Sequence, residues 1–160
     1  MRIRPATAQD EPGIWDVLES MIRTGETYPL PRDMSREDAL AYWFSAGHAV
    51  FVAEDGGTIR GTYFLKANQK AGGSHVANCG YVVVPDAGAR GIGRGMCEDS
   101  LRRAKASGFR AMQFNFVVSS NERAVRLWRS CGFEVVGRLP AAFDHPVHGM
   151  VDALVMYRTL

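Results

Sequence analysis

The residues best suited to chemistry lie between Tyr81 and Glu98, in the run Tyr-Val-Val-Val-Pro-Asp-Ala-Gly-Ala-Arg-Gly-Ile-Gly-Arg-Gly-Met-Cys-Glu. Gly88, Gly91, Gly93 and Gly95 make a turn whose backbone a ligand can approach closely. From about Ile92 the apolar spacing becomes helical, through Met96 or Cys97, Leu101 and Ala104. A helix that starts behind a glycine turn aims several unpaired N–H groups at one point and adds the positive end of its dipole. The chemistry this predicts is anion binding, and a phosphate is the usual anion. Other side chains capable of acting as acids, bases or polarising groups are scattered. Asn121 stands before a helical run, where it either caps the helix or serves a site. Asn115, on the strand face opposite Phe114 and Phe116, reads equally as a solvated amide or a site residue. Glu26 and Tyr28 fall in one loop, His145 and His148 in another. Two histidines without a third ligand, and three cysteines (Cys79, Cys97, Cys131) without metal-like spacing, predict no metal site and reduced thiols.

The elements that must hold these groups follow from periodicity. His75 or Val76 to Val84 is a strand, buried from Tyr81 to Val84, that Pro85 ends, since proline cannot donate to a ladder. Upstream, Ile3 to Ala6 is a strand, and Asp10 and Pro12 start a helix carrying Ile14, Val17, Leu18, Met21 and Ile22 on one face. Gly25 ends it, and Glu26 to Asp33, with Pro29 and Pro31, is a loop. Ser35 with Asp38 resembles a capping box for a second helix holding Leu40, Trp43 and Phe44. Ala49 to Ala53 and Ile59 to Leu65 form a hairpin around Asp55-Gly56-Gly57, and Lys66 to Ser74 is a loop. After the glycine turn a helix runs to about Ser107. Met112, Phe114, Phe116 and Val118 then alternate as a strand, and Ala124, Leu127, Trp128 and Cys131 mark the last helix. Phe133 to Leu139 and Met150 to Tyr157 are strands, with Pro140 to His148 a loop between them. The order is β-α-α-β-β-β-α-β-α-β-β, an α/β chain with a mixed sheet of about seven strands and helices on both faces.

Composition narrows the function classes. A net charge of +2 with no basic run argues against nucleic acid. No apolar run approaches the ~20 residues of a membrane span, and the charged start at Arg2, Arg4 and Asp10 lacks the apolar segment of a signal peptide. A cytoplasmic protein is expected. The chain length of 160 residues suits one domain, residues 1–160, with no linker dividing it.

Two common phosphate motifs fail. A nucleoside-triphosphate loop needs Gly-Lys followed by Ser or Thr, whereas Gly93 is followed by Arg94-Gly95. A dinucleotide fingerprint needs a third glycine where Met96 stands, and an acid at the end of the next strand, which is missing. What remains, Pro85-Asp86-Ala87-Gly88-Ala89-Arg90-Gly91-Ile92-Gly93-Arg94, resembles the coenzyme loop of the GNAT superfamily of acyl-CoA N-acyltransferases, Gln/Arg-x-x-Gly-x-Gly/Ala after Val-x-Pro. A second segment, Asn121-Glu122-Arg123-Ala124-Val125-Arg126-Leu127-Trp128-Arg129-Ser130-Cys131-Gly132-Phe133, is similar to that family's Asn-x-x-Ala-x-x-Leu-Tyr-x-x-x-Gly-Phe. The nearer likeness is to the phosphinothricin-type and proline-analogue (azetidine-2-carboxylate) acetyltransferases. It is carried by Asn115 to Asn121 with Leu127-Trp128, and by Gly137 to Phe143 with His145 and Asp152.

The resemblance implies a mostly antiparallel sheet, acetyl-CoA as co-substrate, and acetyl transfer to a small amino-acid-like or toxic amine by direct attack in a ternary complex. It places Val82, Val83, Gly88, Ala89, Arg90, Gly91, Ile92, Gly93, Arg94, Asn121 and Trp128 against the coenzyme. Asn121 would position or polarise the acetyl group, and Glu26 would take the amine proton unless it is a plain loop glutamate. Asn115, Phe116, Tyr28 and His145 would meet the acceptor. Counted without gaps from Pro85, the family's Gln/Arg position falls on Gly88, so backbone amides rather than an arginine should carry the diphosphate. Trp128 stands where the family usually has the tyrosine that protonates the leaving thiolate, and indole is no such acid. The rival expectations are a protein or peptide N-terminal acetyltransferase and a silent coenzyme-binding module. Many relatives dimerise, so a homodimer is compatible with the resemblance.

Overall fold

A computed structural model describes residues 1–85 and 91–160. Gly88, Ala89 and Arg90, three of the expected coenzyme contacts, therefore lie outside the described residues. The chain runs β1 (Arg2–Pro5), α1 (Glu11–Thr24), α2 (Arg36–Trp43), β2 (Ala49–Asp55), β3 (Thr58–Ala67), β4 (Val76–Val83), α3 (Ile92–Ala106), β5 (Ala111–Val118), α4 (Glu122–Ser130), β6 (Glu134–His145) and β7 (Gly149–Thr159). The strands form one seven-stranded sheet in the order β1-β2-β3-β4-β5-β7-β6. Every neighbouring pair is antiparallel except β4 with β5. This is the element order and the mixed α/β sheet expected from periodicity.

Two apolar layers fix the helices. On one face α1 and α2 bury Ile14, Val17, Leu18, Ile22 and Trp43 against Val52, Phe64 and Val82. On the other, α3 and α4 bury Ile92, Met96, Cys97 and Trp128 against Tyr63, Cys79, Phe114 and Met156. Alternate residues of β3 thus feed opposite cores, and each such side chain contributes ~1.5–3 kcal/mol by leaving water. The helix ends follow from local chemistry. Ser35 Oγ accepts from Asp38 N at 3.1 Å, Gly25 closes α1 at φ 66°, and Gly91 opens α3 at φ 72°, a left-handed conformation that glycine adopts without a Cβ penalty. Among the described residues no helix is long and apolar enough to cross a membrane.

Three expectations need correction. The segment Pro140 to His148 is not mainly a loop, because β6 continues to His145. Pro140 is tolerated there because β6 is an edge strand. Register shifts between Val135 and Gly137 and between Leu139 and Phe143 destroy the two-residue period that would have revealed it. Likewise Lys66 belongs to β3, not to a loop. In β5 a shift between Phe114 and Val117 breaks the simple alternation, so Val117 and Val118 are both buried while Phe116 is half-buried.

Candidate active site

The parallel pair β4–β5 is joined only at Val76–Ala111 and Ala77–Met112, with Asn78 Nδ2 donating to Gln113 O at 2.9 Å just beyond. Past that point the strands part and leave a gap in the middle of the sheet. Which backbone groups face the gap follows from alternation. Val84 N–H donates to Arg60 O, and Val76 O accepts from Asn68 N, so even-numbered residues of β4 turn toward β3. Tyr81 and Val83 must therefore turn their N–H and C=O groups to the gap. The Tyr81 carbonyl does so, since it accepts the Tyr28 hydroxyl at 3.2 Å across from β3.

Two cavities open on the gap. The first, of about 470 Å³, is lined by Ser20, Met21, Thr24, Glu26 and Thr27, by Tyr81 to Pro85, by Gly91, Gly93 and Arg94, and by Asn121, Arg123, Ala124, Leu127 and Trp128. The second, of about 310 Å³, lies between Tyr28, Tyr42, Phe64, Lys66, Asn78, Gly80, Asn115 and Phe116, among others. Thr27, Tyr81, Asn121, Ala124 and Trp128 line both, so the cavities meet at those five residues. Gly80 belongs to the floor of the second cavity for a steric reason. A Cβ there would stand 2.5 Å from the Phe64 ring and 2.9 Å from the Tyr28 hydroxyl.

Asn121 occupies the N-cap of α4. Its Oδ1 accepts from Ala124 N at 3.3 Å, which leaves the Nδ2 group without a hydrogen-bond partner among the described residues. Trp128, almost fully buried, packs on Tyr81 with ring centroids 4.9 Å apart. The Tyr81 hydroxyl is committed to Ser100 Oγ at 2.7 Å, and burial raises its pKa well above the usual phenol range. Burial likewise raises the Tyr28 phenol, so both stay neutral at physiological pH. Cys79 lines the second cavity, and burial pushes its thiol up to about 12. It is therefore a thiol, not a nucleophilic thiolate, near neutrality.

The expected site residues divide clearly. Val82, Val83, Gly91, Gly93, Arg94, Asn121 and Trp128 line the first cavity. Ile92 does not, because its side chain turns into the core, 1% exposed. Arg94 donates to Ser130 Oγ at 2.8 Å, which ties α3 to α4. Tyr28, Asn115 and Phe116 line the second cavity. Glu26 is exposed and lines only the first. His145 lines neither. Its Nδ1 accepts from Val147 N and His148 N, both at 3.1 Å, so the ring closes the β6–β7 turn. Sequence reasoning missed the Tyr81 backbone, Ser20, Met21 and Thr24 on α1, and Lys66 and Asn78. Strand parity counted from Pro85 was the signal that could have found Tyr81. Among the described residues no group of three or more His, Cys, Asp or Glu side chains is placed to hold a metal.

Comparison with known proteins agrees with this architecture. The family model "Acetyltransferase (GNAT) family" matches residues 15–133. A GCN5-related N-acetyltransferase from Kribbella flavida is 39% identical, with 99% of this chain and 97% of that one covered at a TM-score of 0.94. A phosphinothricin acetyltransferase from Sinorhizobium meliloti, solved in complex with acetyl-CoA, is 25% identical, with 99% and 88% covered at a TM-score of 0.86. N-acetyltransferase aca1 of Schizosaccharomyces pombe is 28% identical over 151 residues, 84% of this chain and 72% of that protein. The chain belongs to the GNAT family of N-acetyltransferases.

Proposed function

We propose that this chain transfers an acetyl group from acetyl-CoA to the amine of a small amino-acid-like or toxic molecule, by direct attack in a ternary complex. The observation that carries this reading is the meeting of two cavities at Tyr81, Asn121 and Trp128, in the gap where β4 leaves β5. The first cavity takes the coenzyme and the second takes the amine. The pantetheine arm would pair with the gap-facing N–H groups of Tyr81 and Val83, and the diphosphate would lie on the backbone at Gly91 and Gly93. The acetyl carbon then sits where the cavities join, and the free Nδ2 of Asn121 is placed to polarise its carbonyl.

The amine nitrogen forms a bond to the thioester carbon, the C–S bond breaks, and the thiolate leaves. The nitrogen's surplus proton goes to water or to the thiolate, because Trp128 holds no acidic proton and Glu26 lies outside the second cavity. Holding both reactants in one gap supplies much of the acceleration. Cys79, protonated at neutral pH, gives no support to a covalent acetyl-cysteine route. A volume of about 310 Å³ is at the small end of ligand sites and suits an acceptor of amino-acid size. The phosphinothricin acetyltransferase from Sinorhizobium meliloti supports both the coenzyme and the acceptor class. The buried, unpaired thiols of Cys79, Cys97 and Cys131 fit a reducing cytoplasm, and we read residues 1–160 as one catalytic domain.

The test is thiol release from acetyl-CoA against a panel of amino acids, amino-acid analogues and short peptides. Release with small amines is expected. Release with peptides alone would move the acceptor to a protein N-terminus, and tight coenzyme binding with no release would make the chain a silent binding module.

A further inference from the structure

We propose that the acceptor carries a carboxylate as well as its amine, and that Lys66 binds that carboxylate and sets specificity. The inference rests on the acetyltransfer reading above and names its substrate class. Among the described residues that line the second cavity, Lys66 is the only charged side chain. It is half-buried, and no carboxylate pairs with it among the described residues. A cation partly removed from water without an anion is costly, and a bound anion relieves that cost.

Its position is specific. Lys66 lies opposite Asn78 in the β3–β4 ladder, but its ammonium leans back over the Phe64 ring, 6.0 Å from the centroid. Phe64 lies opposite Gly80, one residue before Tyr81, where the two cavities meet. Phe64 is itself held by a stacked His48 at 4.1 Å and by Trp43 at 4.9 Å. The cation therefore stands over Phe64, whose ladder partner Gly80 immediately precedes Tyr81. The amides of Asn78 and Asn115 line the same cavity; each Nδ2 already donates one hydrogen, to Gln113 O and to Asn68 Oδ1, and each keeps a second N–H with which to meet an anion's oxygens. An α-amino acid, bound by its carboxylate to Lys66 with its amine toward Tyr81, fits this arrangement.

The test compares matched acceptors on the full-length protein: an α-amino acid, its primary amide, and the decarboxylated amine. Wild-type kcat/KM is expected to favour the acid by about ten- to a hundredfold, the range for one hydrogen bond to a charged group. Lys66→Met should reduce that ratio to near one, and Lys66→Glu should invert it, while the Kd for acetyl-CoA reports that both variants remain folded. Equal wild-type rates for acid and decarboxylated amine, or a ratio that Lys66→Met leaves intact, would overturn the role of Lys66 while acetyltransfer itself stands. Absence of acetylation for all three acceptors would overturn both.

Discussion

Asn121 caps a helix and is proposed to serve the site as well. Its carbonyl oxygen caps α4 at Ala124 N, while its amide nitrogen remains available at the junction of the cavities. Asn121→Ala is predicted to lower stability by about 1 kcal/mol, the usual worth of a cap, and to lower turnover by tenfold or more with little change in coenzyme affinity. A variant that loses only thermal stability would reduce Asn121 to a cap. The residue stood out in the sequence because an asparagine before a helical run is chemically conspicuous and its segment matched a family pattern. Lys66 did not stand out, because it closes a strand whose continuation is polar and so read as loop. His145 drew attention by its type and by the family likeness of its segment, and its ring nitrogen is spent on the β6–β7 turn.

At the scale of elements, the divergence of β4 from β5 makes the site. Gly80 marks the floor of the second cavity, where Phe64 and Tyr28 occupy the space of a side chain. Gly80→Ala is expected to raise the acceptor KM by about tenfold, the consequence of overpacking by ~1–3 kcal/mol, and to leave acetyl-CoA affinity nearly unchanged. Equal losses in both affinities would mean the sheet itself had been distorted. On the side proposed for the coenzyme, Gly91 opens α3 with a left-handed backbone, and no described residue lies within 4 Å of where a Cβ would go. Asp tolerates that conformation better than most residues. Gly91→Asp should therefore fold yet weaken acetyl-CoA binding by about two orders of magnitude through like-charge repulsion, measurable by calorimetry against Gly91→Ala. Unchanged affinity would remove the anion site from this turn. Strand and helix order was readable because apolar periods of two and near four are strong signals. The register was not, because the bulges in β5 and β6 depend on β7, a partner that sequence periodicity does not reveal.

For the whole molecule, one ionic cluster ties the opening strand to the sheet. Arg4 binds Asp10 through its two terminal guanidinium nitrogens, Nη1 and Nη2, each at 2.8 Å, and reaches Glu54 through Nε and Nη2 at 3.1 Å. The hydrogen bonds from Arg4, aided by those from Thr7, hold the Asp10 carboxyl below the usual carboxylate range despite its burial. A folded pKa below the unfolded one adds stability above the unfolded value, about 3.9, and loses it as pH falls toward the folded value. Asp10→Asn is expected to cost about 1–3 kcal/mol at neutral pH, and its gap from wild type should narrow progressively as pH falls below about 4. A gap independent of pH would assign the loss to packing.

The overall architecture follows from two apolar layers on one sheet, and the pattern of the chain gave both layers away. The acceptor's identity depends instead on which side chains the gap gathers from α1, its following loop, β3 and β5, residues far apart in sequence. The central claim is that acetyl-CoA and a small amine occupy this gap together. Initial rates of thiol release, with both substrates varied, test it most directly. Intersecting double-reciprocal lines for a small amine acceptor are predicted. Parallel lines, which signify an acetylated enzyme intermediate, would contradict the account.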